Sequence, residues 1–150
     1  MGSEMCIRDS VPTDNPVFAG IARVIETHEI DHKHPFDLLK GFEMDAEDRV
    51  YETVNDILDY SYHVAGVVGV MMANIMGVRD GATLDRASDL GLAFQLTNIA
   101  RDVIDDAEAD RVFVPQDLLL KHGAPIEASA QLNQDNWPCL LYTSPSPRDS

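Results

Sequence analysis

A chain of 150 residues, 45% of them hydrophobic, is long enough for one domain with a modest core. Its 26 acidic residues outnumber 11 basic ones for a net charge of −15, which argues against nucleic acid as a partner, because phosphate neutralisation needs basic surface. The most apolar stretch, VAGVVGVMMANIMGV at 64–78, falls short of the ~20 residues of a bilayer span and is interrupted by Asn74, so it is predicted to be a buried core helix.

The two ends stand apart from what lies between them. MCIRDS at 5–10 and CLLYTSPSPRD at 139–149 can be back-translated into strings that are reverse complements over most of their length, as expected of sequencing-adapter DNA read through in frame. Residues 1–10 and 139–150 are therefore predicted to be non-native tails flanking a fragment at 11–138. Without Glu4, Arg8, Asp9, Arg148 and Asp149, 9 basic and 23 acidic residues remain, a net charge of −14. Cys6 and Cys139 both lie in these tails, so no disulfide is expected, and the cysteine-free remainder suits a reducing cytoplasm.

Helix signals dominate the chain. Asn15-Pro16 reads as a cap followed by proline at the first helical position, with Val17, Ile21, Val24 and Ile25 on one face and a stop before Pro35. A shorter helix is predicted from Pro35, carrying Phe36, Leu38 and Leu39, with Gly41 near its end. The charged EMDAEDRVYE then reads as a connection.

A long third helix should start at Thr53, which with Asp56 resembles a capping box, and run through Ile57, Tyr60, Val64 and Val68 to Gly77. Ala65, Gly66, Gly69 and Ala73 give it a line of small residues, open to either close helix packing or a ligand chain. A fourth helix is predicted over Leu84–Asp106 and a short fifth over Gln116–His122 before Gly123, with no element from Pro125 onward.

Two polar patterns could carry chemistry. His28-Glu29-Ile30-Asp31-His32 formally matches H-E-x-x-H, but Pro35 closes the helix at once and no third ligand is evident, which favours a solvated helix end over zinc. The stretch QLTNIARDVIDDAEADRVFVP is more consistent: at about 100° per residue, Gln95, Asn98, Asp102 and Asp106 fall within roughly 80° of one another on a helix. Leu92, Leu96, Ile99 and Val103 form an apolar stripe alongside. Two carboxylates and an amide oxygen suit Mg²⁺, which also takes waters and phosphate oxygens, and Arg101 and Arg111 could bind a diphosphate bidentately. Spacing alone leaves a solvated acidic helix end as the alternative.

TVNDILDYSYHVAGVVGVMMANIMGV and LGLAFQLTNIARDVIDDAEADRVFVP closely resemble the two signature regions of the phytoene and squalene synthase family, in wording nearest its bacterial phytoene-synthase branch. GFEMDAED, at 41–48, resembles the segment preceding the first signature. The resemblance implies an all-α isoprenoid-synthase fold of the class I terpenoid synthase type, of which this chain would be a part. Asp102 and Asp106 match the second aspartate-rich segment, and Asn98 a further metal position. The implied metal is Mg²⁺, with Mn²⁺ as substitute. Gln95, Arg101, Arg111 and Tyr60 match positions facing the diphosphate or the reaction centre, and Val64, Ala65, Val68 and Gly69 match the wall of a prenyl-chain tunnel.

The implied reaction is head-to-head condensation of two geranylgeranyl diphosphates through a cyclopropyl diphosphate to phytoene, a step of carotenoid biosynthesis. Squalene or dehydrosqualene formation from farnesyl diphosphate is the alternative; squalene would need a nicotinamide reductant, and no G-x-G-x-x-G is present. A non-catalytic assembly relative is the other, disfavoured by retention of Asn98, Arg101, Asp102 and Asp106. The family's first aspartate-rich segment, expected upstream of Val11, is not found, so the chain by itself is predicted not to turn over substrate. Peripheral contact with the inner face of a membrane, to collect a greasy substrate, remains compatible with the sequence.

Overall fold

The computed structural model describes residues 15–47 and 49–132; the tails expected at 1–10 and 139–150 lie outside them. Every regular element among the described residues is helical, in keeping with the predicted all-α class.

Helix α1 (Pro16–Thr27) starts as its sequence dictates, with the Asn15 side chain accepting from the Val17 N–H at 2.9 Å. It ends earlier than Pro35 requires, because Glu29 takes a left-handed φ of 50°. His28 thus caps one helix while His32 caps the next, and the two imidazoles do not share the helical face a zinc site would need. Val17, Phe18, Ile21 and Val24 remain exposed.

Helix α2 (Lys33–Ala46) corrects the prediction in two ways. Pro35 sits within its first turn, where a missing N–H costs nothing, and the helix continues through Gly41 to absorb part of the charged stretch expected to be a connection. Gly41 is buried, and a Cβ there would lie 2.8 Å from Val64 Cγ1 and 3.0 Å from the His63 carbonyl carbon. Glycine lets α2 settle against the centre of the next helix.

That next helix is not uniform. Helix α3 (Val54–Ser61) begins with the expected capping box, the Asp56 carboxylate accepting from the Thr53 N–H at 2.8 Å. A π-helical turn (Tyr62–Gly66) follows, its wide ring closed by the Val67 N–H on the Tyr62 carbonyl. Helix α4 (Val67–Ile75) then ends at Gly77, φ 92°. The Gly77 and Val78 N–H groups return to the Asn74 and Ala73 carbonyls, each at 3.0 Å, in a Schellman closure.

Helix α5 (Gly81–Arg101) is capped by Asp80, whose carboxylate accepts from the Thr83 N–H at 2.9 Å. Where one helix was predicted through Asp106, the backbone breaks at Asp102 (φ −98°, ψ 16°), and helix α6 (Val103–Glu108) begins anew. The break is shallow, since Asp102 N–H still reaches Asn98 O and Asp106 N–H still reaches Asp102 O, both at 2.8 Å. Helix α7 (Gln116–His122) ends at Gly123, φ 67°, as its sequence predicts. A one-turn helix α8 (Ala128–Gln131) follows where no element was expected; its buried Gln131 amide donates to the Pro125 carbonyl at 2.9 Å.

Two packing centres organise these helices. Met44, Tyr51, Ile57, Tyr60 and Ile99 form a buried cluster, with Phe113 and Val114 packed against it. Elsewhere, the π turn and α4 cross α5 backbone against backbone: a Cβ on Gly69 would fall onto the Ala87 carbonyl, and one on Gly91 onto the Ala65 carbonyl.

Candidate functional site

The polar line singled out in the sequence survives the break at Asp102. Gln95, Asn98, Asp102 and Asp106 are all half-buried, whereas Thr97, Ala100, Arg101 and Asp105 between them are exposed and Ile99 is buried beside them. The helical hydrogen bonds that bridge Asp102 hold the four near one face.

The two carboxylates differ in their surroundings. Arg101 grips Asp102 with both arms of its guanidinium, Nε to Oδ1 at 2.6 Å and Nη2 to Oδ2 at 2.5 Å. Burial, reinforced by the neighbouring Asp102 charge, raises the Asp106 carboxyl above its ordinary pKa, with Arg111 opposing. Carboxylates that disfavour each other's charge, with the Asn98 amide a turn earlier, form a donor set that a hard divalent cation would relieve. Among the described residues, no three His, Cys, Asp or Glu side chains converge, so the acidic part of this set is the pair alone.

Arg111 ties the row to a second region. Its backbone N–H donates to the Asp106 carbonyl at 2.9 Å, while its Nη2 donates to the Asp45 carbonyl at 3.0 Å. Its guanidinium carbon lies 5.7 Å from the Phe113 ring centroid. Tyr60, expected near the reaction centre, sits in the core at 4% exposure and donates its hydroxyl to Asp45 Oδ1 at 2.8 Å. Its ring packs against Tyr51 and Phe113, with centroids 5.3 and 5.5 Å away. Burial, then the Asp45 hydrogen bond, raises the Tyr60 phenol pKa; burial likewise pushes Tyr51 up to about 12.

Sequence reasoning missed Asp45, Arg49 and Tyr51. With Arg111 they line a cavity of about 200 Å³ between the α2–α3 connection and the segment after α6. The available signal was GFEMDAED, whose charges read as a solvated connection.

Val64, Ala65, Val68 and Gly69 all line one apolar groove of about 540 Å³ between α4 and α5, together with Met72 and Phe94. The close-packing reading of the small-residue line holds at Gly69, which permits the helix crossing and also lines the groove. Tyr60, Gln95 and the carboxylates do not line it.

Comparison with known proteins gives the family to which these helices belong. The family model described as squalene/phytoene synthase matches residues 3–142. The 15-cis-phytoene synthase of a Paracoccus species is 58% identical over 112 residues, 75% of this chain and 37% of that protein. That of Pantoea ananas is 53% identical over 122 residues, 81% of this chain and 37% of the relative. The phytoene synthase of Thermus thermophilus is 44% identical over 108 residues, 72% of this chain and again 37% of the relative. The chain thus spans little more than a third of the length of these relatives. With the family match running over most of its length and relatives this similar, the chain belongs to the squalene/phytoene synthase family.

Proposed function

We propose that the chain supplies the second aspartate-rich wall and part of the prenyl tunnel of a phytoene synthase, which joins two geranylgeranyl diphosphates head to head. The observation that carries this reading is the apolar groove lined by Val64, Ala65, Val68 and Gly69 against α5, the helix that bears Asn98 and leads into Asp102 and Asp106.

Asn98, Asp102 and Asp106 would hold Mg²⁺ or Mn²⁺, which when bound supplies Lewis-acid stabilisation to the departing diphosphate. Arg101 and Arg111 add fixed positive charge as the C1–O bond breaks and its electron pair leaves with the diphosphate. The allylic cation that remains is short-lived in water, so the apolar groove serves by excluding it. The double bond of the second substrate then attacks that carbon, and proton loss closes a cyclopropane. A second ionisation, rearrangement and proton loss give phytoene without net oxidation or reduction.

No helix among the described residues is long and apolar enough to cross a membrane. The exposed Met72, Met76 and Phe94 at the groove support entry of a greasy chain from the inner face of a membrane, with the protein otherwise in the cytoplasm.

The test is to recover the full parent reading frame and supply the protein with geranylgeranyl and farnesyl diphosphates and Mg²⁺, following labelled products. Phytoene from the longer diphosphate is expected; a clear preference for farnesyl diphosphate would replace this reading with squalene or dehydrosqualene synthesis. The 150-residue chain alone, which spans little more than a third of its relatives' length, is expected to make no phytoene, and robust turnover by it would show that these residues suffice for the reaction.

A further inference from the structure

The cavity beside Tyr51 gathers two of the chain's 11 basic residues on one small surface and sets Arg49 beside Arg111. Arg49 reaches it from the α2–α3 connection and Arg111 from the segment after α6. Neither guanidinium is saturated. Arg49 has one ion pair, Nη1 to Asp59 Oδ2 at 3.8 Å, beyond hydrogen-bond length. Arg111 spends one side-chain N–H on the Asp45 carbonyl and otherwise lies over Phe113. A guanidinium has five N–H donors in a planar fork, so both retain donors suited to the oxygens of a phosphoryl group. The Tyr51 phenol stays protonated across the physiological range and adds a further hydroxyl to the lining.

Two carboxylates also line the cavity, Asp45 and Asp110. Asp45 is partly satisfied by the Tyr60 hydroxyl, and Asp110 lies exposed at a left-handed φ of 59°. As acceptors they compete with an incoming anion for the guanidinium N–H groups and so limit its affinity. We propose that Arg49 and Arg111 together form an anion pocket that takes a phosphate or diphosphate group, with Arg49 a substrate-binding residue. This rests on the diphosphate reading of the site and extends it: Arg111 links the pocket to the carboxylate row through Asp106, so one diphosphate would meet a metal face and a guanidinium face.

Titration of inorganic pyrophosphate into the 150-residue chain, followed by calorimetry first without and then with Mg²⁺, separates the two faces. Without metal, the wild-type chain is expected to bind and R49Q to bind about tenfold more weakly. R49K, which keeps the charge but not the fork, should recover only part of the loss, and D59N, which frees Arg49 from its distant partner, should tighten binding. Circular dichroism of each variant establishes that the helices persist. Wild-type affinity in a folded R49Q, or no metal-free binding by the wild-type chain, would overturn the pocket. Mg²⁺ enhancement that disappears in D102N is the separate expectation of the proposed function; its absence alongside a clear R49Q defect would remove the metal reading and leave the pocket standing.

Discussion

Gly69→Ala is the most exacting test of the packing that builds the groove. The added Cβ would fall onto the Ala87 carbonyl, and it would stand 3.0 Å from the carbonyl carbon of the same residue. Backbone cannot rotate aside as a side chain can, so α4 and α5 must separate. Overpacking of this kind costs about 1–3 kcal/mol, and a backbone obstacle places it at the upper end. Alanine recovers up to ~1 kcal/mol through its helix propensity, which leaves a net loss of about 2 kcal/mol and a fall in Tm of roughly 4–8 °C for a chain of this size. Gly20→Ala supplies the opposite sign: it also lies inside a helix, but a Cβ there meets nothing within 4 Å. It should stabilise by about 0.5–1 kcal/mol. Urea unfolding followed by far-UV circular dichroism measures both. A Gly69→Ala chain as stable as wild type would refute the claim that α4 and α5 meet on their backbones.

Two further substitutions test the site's electrostatics and its link to the core. Because the folded Asp106 carboxyl is raised, its stabilising contribution is present below the unfolded pKa and is lost as pH rises through the folded value. Asp106→Asn should therefore stabilise the chain at pH 7, by a few tenths to ~1 kcal/mol after solvent screening, and the gain should vanish once pH falls well below the ordinary carboxylate pKa. Equal urea midpoints at pH 7 would contradict this. Tyr60→Phe leaves Asp45 Oδ1 without its 2.8 Å donor and should cost about 1 kcal/mol, with Asp45→Asn, which keeps an acceptor oxygen, costing less. Unchanged unfolding in Tyr60→Phe would show that the hydroxyl contact does not stabilise the core.

Local chemistry explains what could be read from the sequence. Asn15, Thr53 with Asp56, Gly77 and Gly123 act through bonds to backbone groups a few residues away, so their residue types announce their conformations. The Gln95–Asp106 row was legible because its period alone places it on one face. Asp45, Arg49 and Tyr51 were not, because their neighbours Tyr60 and Arg111 are distant in sequence and only the folded core brings them together. The length of α2 was missed for a related reason: its charged end looks solvated in sequence, while the fold buries Met44 within it. The shallow break at Asp102 leaves the helical hydrogen bonds on either side in place, so a periodic pattern passes through it unmarked.

The wide turn at Tyr62–Gly66 has a consequence for how this region tolerates change. An α-helix advances about 100° per residue, so the direction each side chain faces is fixed by counting from its start. A π turn lengthens one ring and resets that count, letting Ile57 and Tyr60 join the aromatic core while Val64, Val68 and Gly69 turn toward the groove. It works as a phase shifter between two surfaces. Because the wide ring absorbs one extra residue, removing a single residue from it would leave a regular helix whose downstream residues keep their facing, with Gly69 still against Ala87. Loss of one residue at this turn is therefore absorbed locally, whereas loss of one from the regular turns of α3 would swing the residues beyond it by about 100°.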